Sequence, residues 1–471
     1  MSSGAPADIY RGYDIRGRSG SELTAPLLEA MGRAIAAHII GRAATRVYLG
    51  FDGRHSGHEL SEAVARGLVT GGVDVLDLGV VPTPLVYFAS SSDKGSYGVA
   101  VTASHLAAEW NGLKLCQGSR PVHSDVIRQA MEATPAVEAS SSRTARGGRS
   151  SARASVLAAY ARMLGQIVEG IPAASRPRVV VDCQNAAASE VVPPILKSLG
   201  FEVAAIYTDL SAGYPFGTPD PQIGEHLGHL AEAVRANGAD VGLAFDGDAD
   251  RLGVIDETSR RVPADAILAL MARDVIGRSP GSSVVYDVLS SPVVEETVRS
   301  AGGRPVEAPS GHAFVQDLVR DEAAPLGGES SGHLFFADGY RGDPAGYDDA
   351  TYAAVRVLEY MGRHGSLGRL LDSLPPVVAG DEWRPHCPDG VKRRIVDGAK
   401  DEFAARGYRV SVVDGVKAHF GPLSWALVRA ANTEPALSVR VVGPTGDDVA
   451  QVEREIVALV REVAARYDVT L

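Results

Sequence analysis

The chain has 471 residues, and at roughly 100–200 residues per domain we expect three or four domains. Hydrophobic residues make up 45% and charged residues 22%, as in a globular protein without a membrane span. The formal net charge of −12 argues against nucleic acid as a partner, because a phosphate backbone is bound by a basic surface. Cys116, Cys183 and Cys387 are too widely spaced for a disulfide framework or a metal motif, and no signal segment is evident, so we expect a cytoplasmic protein.

The order strand, turn, helix, glycine and strand occurs three times, in residues 46–84, 178–207 and 282–309. This order predicts parallel sheets covered by helices. Segments 136–155 and 373–380 have the composition of linkers. After them the pattern predicts a smaller α+β domain with these elements: a strand at Asp381–His386, a helix at Val391–Arg406, strands at Tyr408–Val413, Ser424–Arg429 and Leu437–Val442, and a helix at Asp447–Arg466.

Ser104 and His105 follow the apolar segment GVAV at a turn of small residues, and Lys114 comes shortly after. A serine becomes a nucleophile when a base lies beside it, and cations hold a phosphate in place. His105 and Lys114 can supply both. For an isolated Ser-His pair, a serine that only caps a following helix is the more common explanation, and the Asn111-Gly112 turn and Lys114 strengthen the functional one.

Asp246, Asp248 and Asp250 alternate in FDGDADRLG, directly after an apolar strand. Carboxylates this close repel by roughly 4 kcal/mol per pair at 4 Å and an effective dielectric of 20, so a hard divalent cation is expected. We expect Gly247 to let the backbone curl so that the carboxylates converge. An EF-hand is disfavoured because Arg251 occupies a position that requires glycine, whereas a surface turn without metal stays open. With Ser104, the loop suggests metal-assisted phosphoryl transfer through a phosphoserine.

Two later loops carry candidate ligand-binding side chains. In GGESSGHLFF, Glu329, Ser331 and His333 alternate as hydrogen-bonding groups suited to sugar hydroxyls. In RAANTEP, Arg429 and the pair Asn432 and Thr433 lie on a turn between two predicted strands, a generic site for an anion. Taken alone, an ordinary strand entry and a hairpin with solvated arginines explain these loops as well.

The motifs YDIRG, VTASHLAAEWNGLKL, FDGDADRLG, GGESSGH and RAANTEP occur in this order along the chain. Their combination resembles the α-D-phosphohexomutase superfamily, most of all its phosphomannomutase/phosphoglucomutase members, over residues 8–465. The resemblance implies an α/β protein of four domains around a central cleft: three related α/β domains with mixed or parallel sheets, then a C-terminal α+β domain. They are residues 1–146 with a phosphoserine loop, 147–258 with a metal-binding loop, 259–374 with a sugar-binding loop and 375–471 with a phosphate-binding loop.

The resemblance also implies a role for each candidate residue. Ser104 is expected to be carried as phosphoserine and to bind Mg²⁺ together with Asp246, Asp248 and Asp250. The residues expected to assist catalysis around Ser104 are Arg16, His105, Lys114, Arg251 and His333. The residues expected to bind substrate are Tyr13, His312, Glu329, Ser331, Arg429, Asn432 and Thr433.

The implied activity is an intramolecular phosphotransfer that interconverts the 6- and 1-phosphates of mannose or glucose. A hexose 1,6-bisphosphate would act as intermediate and primer, and the protein would be a monomer or homodimer whose partner is a phosphorylated sugar, neither nucleic acid nor a membrane. Leu106 and Ala107 stand where the family has Asn-Pro, Leu289 where close relatives have lysine, and Ala431 where they have serine. These departures leave other functions open: phosphomutase chemistry on another phosphorylated substrate of a specialised pathway, a non-catalytic sugar-phosphate-binding paralogue, or a phosphatase with an aspartate nucleophile.

Overall fold

The computed structural model describes residues 9–133, 147–337, 346–431 and 435–471. The chain divides into two compact units, one of Met1–Ala264 with Ser331–Gly368 and one of Asp265–Ser330 with Arg369–Leu471. Within the described ranges, no helix is both long enough and apolar enough to cross a membrane.

The structure alternates short strands with helices along most of its length. The strands are β1 (Tyr10–Arg11), β2 (Asp14–Arg18), β3 (Arg46–Phe51), β4 (Asp74–Val80), β5 (Tyr97–Val101), β6 (Trp110–Gln117), β7 (Arg120–Pro121), β8 (Arg149–Ser151), β9 (Val179–Asp182), β10 (Val203–Ile206), β11 (Val241–Phe245), β12 (Leu252–Asp256), β13 (Arg261–Val262), β14 (Ser283–Asp287), β15 (Arg304–Ala308), β16 (Leu326–Gly328), β17 (Leu334–Phe336), β18 (Val378–Ala379), β19 (Arg409–Ser411), β20 (Val416–Gly421), β21 (Ser424–Ala430) and β22 (Leu437–Gly443). The helices are α1 (Ala25–Ile40), α2 (Gly57–Thr70), α3 (Thr83–Ser92), α4 (Ser124–Ala133), α5 (Arg153–Val168), α6 (Val192–Ser198), α7 (Gly228–Asn237), α8 (Ala264–Arg278), α9 (Pro292–Ser300), α10 (His312–Asp321), α11 (Ala350–His364), α12 (Leu367–Asp372), α13 (Asp389–Ala405) and α14 (Gly446–Ala465).

The first unit contains two sheets. One has the order β1-β2-β6-β5-β3-β4-β8, with β7 beside β6, and the other has the order β10-β9-β11-β12-β13. In each sheet a central strand, β3 or β9, pairs parallel with both neighbours. One of those neighbours also pairs antiparallel with the next strand of the chain: β5 with β6 in the first sheet, and β11 with β12 in the second.

In the second unit, β14 lies between β15 and β16 and is parallel to both. Its C-terminal part is an antiparallel sheet in the order β18-β22-β21-β20-β19. The hydrophobic core here is formed with α13 and α14, which contribute Ile395, Phe403, Ile456 and Val460. The chain therefore holds three α/β domains with parallel or mixed sheets and a C-terminal domain with an antiparallel sheet.

Local sequence explains the central strands and several helix ends. The strands β5, β9, β11 and β14 are buried at every residue, and their apolar runs are typical of strands covered on both faces. The Thr24 hydroxyl accepts a hydrogen bond from Leu27 N at the start of α1, and α7 ends at Gly238 in the left-handed conformation.

The three predicted strand-helix-strand segments are confirmed, since each gives a parallel pair: β3 with β4, β9 with β10, and β14 with β15. The predicted strand Asp381–His386 is wrong. That segment makes only two isolated bridges, Trp383 to Val439 and His386 to Ala436, because Pro385 between them has no N–H for a ladder. The strand β20 was not predicted. Residues 136–146 of the first predicted linker lie outside the described residues, and Arg149–Ser151 beyond them form β8, parallel to β4.

Candidate active site

Ser104 lies in the turn between β5 and β6. Its backbone is left-handed at φ 52°, and the residue is 1% exposed. Its hydroxyl donates a hydrogen bond to Asp246 Oδ2 at 3.0 Å and lies 3.2 Å from His105 Nδ1. The helix-cap interpretation of Ser104 is wrong, because the turn leads directly into strand β6.

The acidic loop, residues 246–251, is the turn of the antiparallel hairpin of β11 and β12. Asp246 Oδ1 accepts hydrogen bonds from the backbone N–H groups of Asp250 (3.0 Å) and Arg251 (3.1 Å). Asp246, Asp248 and Asp250 each offer a carboxylate oxygen, and these oxygens lie within 4.8 Å of one another. The hairpin turn therefore gathers three carboxylates beside the Ser104 hydroxyl.

Gly247 is required by close packing. It does not adopt the left-handed backbone of the loop, which is at Ala249 (φ 55°). A Cβ atom on Gly247 would lie 2.3 Å from the Ser104 carbonyl oxygen and 3.1 Å from Pro219 Cγ. Our expectation that Gly247 curls the backbone was therefore wrong, because its role is to let the acidic loop approach the serine turn.

Lys114, on β6, donates to Asp248 Oδ2 at 2.9 Å and to Asp250 Oδ2 at 2.6 Å. Burial alone would lower the pKa of Lys114, but these two carboxylates raise it well above its usual value. Burial would likewise raise the pKa of Asp250, but the positive charges of Lys114, His333 and Arg251 hold that pKa well below its usual range. Burial and the Asp250 and Asp248 carboxylates raise the pKa of Asp246 far above its usual value. Lys114 is thus bonded to two of the three buried carboxyl groups, and Arg251 and His333 add positive charge beside Asp250.

Two oxygens of the acidic loop fit a bound cation. Asp248 Oδ1 and Asp250 Oδ1 are buried and accept no hydrogen bond from the described residues. Leaving a buried acceptor without a partner costs about 1–3 kcal/mol, which a hard cation with oxygen ligands would offset. The other oxygen of Asp248 is held by the hydroxyl of Thr83 at 2.7 Å, so the free oxygen has a fixed direction. The donor set suits Mg²⁺.

His105 is surrounded by positive charge. Burial, followed by the nearby Arg251 and Arg16 guanidinium groups, lowers the pKa of His105 to about 2, so its imidazole is neutral at physiological pH. Arg16 itself is held by Asp14, with Nη2 donating to Oδ2 at 2.6 Å. The two guanidinium groups thus place positive charge beside His105, the residue that follows Ser104.

His333 is held between a guanidinium group and a carboxylate. Arg251 Nε donates to His333 Nε2 at 3.0 Å, and Asp348 Oδ2 lies 2.8 Å from Nδ1 on the other side of the ring. Because Nε2 accepts from Arg251, the ring proton belongs on Nδ1, facing Asp348. Burial would lower the pKa of His333, but Asp250 and Asp348 raise it above its usual value.

The second unit holds the sugar-binding and phosphate-binding candidates. Glu329 is buried, and its Oε1 accepts from Gly311 N at 2.7 Å, next to His312 at the start of α10. Ser330 donates through its N–H to Asp287 Oδ1 at 3.0 Å, which fixes the loop after β16. The structure thus brings the loop of Glu329 next to the start of α10, where His312 lies.

Arg429, at the end of β21, donates through Nη2 to Asp414 Oδ2 at 2.6 Å. Asn432 and Thr433 lie outside the described residues. Two substrate-binding candidates belong to the first unit: Tyr13 is in the turn between β1 and β2 with its ring 5.2 Å from that of His123, and Ser331 is partly exposed.

Models of phosphoglucomutase/phosphomannomutase domains match three stretches of the chain: alpha/beta/alpha domain I at residues 7–139, domain II at 158–259 and domain III at 263–378. The chain belongs to this family. It is 33% identical to phosphomannomutase/phosphoglucomutase of Pseudomonas aeruginosa over 449 residues, which covers 95% of this chain and 94% of that protein. It is 32% identical to the phosphoglucomutase of Neisseria gonorrhoeae over 457 residues, 96% of each. A crystal structure of a phosphoglucomutase/phosphomannomutase family protein from Burkholderia thailandensis matches 98% of both chains at a TM-score of 0.85 and 31% identity. As a family member, the protein is an isomerase of the phosphotransferase type.

Three residues that hold the site together lie outside the motifs quoted for this family, and the sequence analysis did not identify them. Thr83 binds Asp248, Asp348 binds His333, and Arg54 binds the serine turn. Each is a single polar residue that folding brings close to a motif distant in sequence. The only local signals for them are the short segments in which they lie: PTP for Thr83, YDD for Asp348 and DGR for Arg54. Leu289 packs against a buried apolar cluster of Val288, Trp425, Leu427 and Val442.

Proposed function

We propose that the protein interconverts the 6- and 1-phosphates of a hexose, mannose or glucose, through a phosphoserine at Ser104 and a bound hexose 1,6-bisphosphate. The observation that carries the proposal is the position of the Ser104 hydroxyl, 3.0 Å from Asp246 and beside a cluster of carboxylates with two buried oxygens left for a cation. Mannose and glucose are proposed together because the name of the relative from Pseudomonas aeruginosa, phosphomannomutase/phosphoglucomutase, contains both sugars.

In the proposed reaction, a free hydroxyl of the sugar monophosphate attacks the phosphorus on Ser104. The bond from phosphorus to Ser104 Oγ breaks as the bond to the sugar oxygen forms. The sugar hydroxyl proton passes to neutral His105, whose Nδ1 lies 3.2 Å from Ser104 Oγ, and is returned to that serine oxygen as it leaves. A phosphate on Ser104 adds negative charge next to His105, which favours that protonation. After the bisphosphate turns end for end, Ser104 takes back the other phosphoryl group and the monophosphate isomer leaves.

Mg²⁺ bound by Ser104, Asp246, Asp248 and Asp250 would stabilise the charge on the transferring group. The chain's own residues do the rest. Arg16, Arg251 and His333 surround the transferring phosphoryl group, Lys114 holds Asp248 and Asp250 in place, and Glu329, Ser331, His312 and Tyr13 hold the sugar. Arg429, Asn432 and Thr433 would hold the phosphate that is not transferred. The metal-binding chemistry is supported by the carboxylate set, and the remaining assignments by the family resemblance.

We also propose a cytoplasmic protein, monomeric or dimeric, of four domains at 1–146, 147–258, 259–374 and 375–471. The three cysteines are buried free thiols, which suits a reducing compartment.

The test of the phosphoserine is the intact mass of freshly purified protein. We expect wild type to carry one added phosphoryl group that is absent from Ser104→Ala and present in the control Ser92→Ala, a serine on the exposed side of α3. Mutase activity retained in full by Ser104→Ala would rule out the carrier role.

A coupled assay with mannose 1-phosphate and glucose 1-phosphate tests the substrate, with and without MgCl₂ and a bisphosphate primer. We expect turnover that needs both additions. A protein that is phosphorylated on Ser104 but turns over neither sugar would instead act on another phosphorylated substrate. Binding without turnover or phosphorylation would indicate a sugar-phosphate-binding protein.

A further inference from the structure

All five N–H donors of the buried Arg54 guanidinium are used, and four of them bind one turn. Nη1 donates to the carbonyl oxygens of Ala107 (2.7 Å) and Trp110 (3.0 Å). Nη2 donates to those of Ser104 (2.6 Å) and Leu106 (2.7 Å). The fifth donor, Nε, binds Asp52 Oδ2 at 2.8 Å. No other side-chain type has donors enough, in a rigid plane, to hold four carbonyl groups at once.

The same ion pair reaches the other side of Ser104 through Asp52. Thr102 Oγ1 donates to Asp52 Oδ2 at 2.8 Å and accepts from Ser104 N at 2.8 Å. The backbone N–H of Ser104 is therefore tied to Asp52, and its carbonyl to Arg54. Asp52 and Arg54 are joined to each other by a salt bridge whose side chains are fully buried. We call Asp52, Arg54 and Thr102 the serine clamp.

The serine turn needs such a clamp. Ser104 is left-handed, a conformation that a residue other than glycine keeps only when its surroundings enforce it. Leu106 and Ala107 supply neither a side-chain hydrogen bond nor a proline ring to stiffen the turn, but both offer their carbonyl groups to Arg54. The guanidinium plane is covered by the Tyr214 ring at 5.1 Å, which keeps water from these bonds.

We propose that Arg54 is a positioning residue for phosphoryl transfer, which acts by holding Ser104 Oγ at Asp246 through the backbone of the serine turn. The inference rests on the proposed function of Ser104. Arg54 touches no reacting atom. Its effect falls on kcat, because a displacement of about 1 Å in a reacting group costs on the order of 10²-fold in rate. The KM for the sugar phosphate stays unchanged, since the sugar-binding candidates Glu329 and His312 are on other elements.

The variants are Arg54→Lys and Arg54→Ala. Arg54→Lys keeps the charge but has three donors for five acceptors. Arg356→Lys is the matched control, because Arg356 is also fully buried in the same unit, with its guanidinium 4.9 Å from the Phe336 ring. We expect kcat to fall on the order of 10²-fold in Arg54→Lys at unchanged KM, and to stay within about threefold of wild type in Arg356→Lys. Millimolar methylguanidinium should restore part of the activity of Arg54→Ala, and none in Arg356→Ala.

Amide hydrogen exchange of residues 102–110 provides a readout that needs no activity. In Arg54→Lys we expect this segment alone to exchange at least tenfold faster. Uniformly faster exchange, or a loss of activity that follows thermal stability equally in both lysine variants, would show that Arg54 only stabilises the fold and would overturn the proposal. A wild type without phosphoserine or turnover refutes the proposed function instead, whereas the exchange result still decides whether the clamp holds the turn.

Discussion

Two buried lysines of this protein face different amounts of negative charge. Lys114 contacts two carboxylates of a group of three, whereas Lys417, in the second unit, donates to the single carboxylate of Glu307 at 2.6 Å. Removing one partner of a buried ion pair costs about 3–5 kcal/mol, because a charge is left without compensation. Only at Lys114 does the neighbouring geometry also suit a divalent cation.

We therefore expect Lys114→Met and Lys417→Met both to unfold at lower temperature than wild type, but to differ in their response to metal. Mg²⁺ neutralises the carboxylates that Lys114 leaves behind, so it should raise the melting temperature of Lys114→Met more than that of wild type. The melting temperature of Lys417→Met should rise with Mg²⁺ only as much as that of wild type. Thermal melts with MgCl₂ or EDTA measure this. Equal shifts in all three proteins would mean that no cation binds at the acidic loop.

Asp182 makes stability depend on pH. It lies at the end of β9, fully buried, and burial raises the pKa of its carboxyl from 3.8 to about 7 although Gln184 donates to both oxygens. The folded state therefore holds this proton more tightly than the unfolded state. Its contribution is fully present below about pH 4 and is lost as pH rises to about 7, a difference of up to roughly 4 kcal/mol.

The variant Asp182→Asn lacks this proton. We expect the melting temperature of the variant, relative to wild type, to increase between pH 5 and pH 8. Only wild type loses stability over this range, because only its buried carboxyl at position 182 has a raised pKa. Calorimetric melts at several pH values measure the difference. Parallel curves for the two proteins would show that Asp182 does not titrate in this range.

At the scale of elements, the sequence predicts the parts whose pattern is local. The three strand-helix-strand segments were predicted from apolar runs, turns and glycines, all of which act over a few residues. The strand β20 was missed although its residues alternate, with Val416 and Ala418 in the hydrophobic core and Lys417 and His419 on the other face. On that polar face, Lys417 is buried by its ion pair with Glu307 of another domain, which no local pattern reveals.

The same limit applies to the site. The acidic loop and the Ser-His pair could be found because several functional residues lie together in one motif. The serine clamp could not, because Asp52 and Thr102 are fifty residues apart in sequence and meet only through the parallel pairing of β3 with β5. The role of Gly247 was misjudged for this reason too, since the atom it avoids belongs to Ser104 in a different domain.

Gly247→Ala tests how closely the two loops must approach. A methyl group there would overlap the Ser104 carbonyl, which also accepts from Arg54, so the serine turn or the acidic loop has to move. We expect a loss of turnover on the order of 10²-fold, because Ser104 and the carboxylates are displaced from each other. Gly277→Ala is the control, since its Cβ meets nothing within 4 Å and alanine is favoured in helix α8. Steady-state kinetics of both variants measure the effect, and full activity in Gly247→Ala would contradict a close approach of Gly247 to the Ser104 carbonyl.

Across the whole molecule, one arrangement recurs in the three α/β domains. An aspartate stands at the C-terminal end of the central strand each time. Asp182 and Asp287 are the last residues of β9 and β14, and Asp52 directly follows β3. The parallel neighbour of that strand leads into a candidate functional loop: β5 into Ser104, β11 into the acidic loop and β16 into Glu329. Asp52 and Asp287 each bind the loop beside them, so an equivalent aspartate holds the serine turn in one domain and the sugar-binding loop in another.

The metal-binding candidates and most of the substrate-binding candidates belong to different units of the chain. Ser104 and the three carboxylates belong to the first, whereas Glu329, His312 and Arg429 belong to the second. We therefore expect Asp248→Asn to weaken Mg²⁺ binding while the dissociation constant for a hexose monophosphate changes less than threefold. Arg429→Ala should do the opposite, weakening sugar-phosphate binding about 10- to 100-fold through the loss of a charged hydrogen-bond donor. Isothermal titration of each variant with MgCl₂ and with glucose 1-phosphate measures both constants. A variant that weakened the binding of both ligands alike would show that metal binding and phosphate binding depend on a shared set of residues.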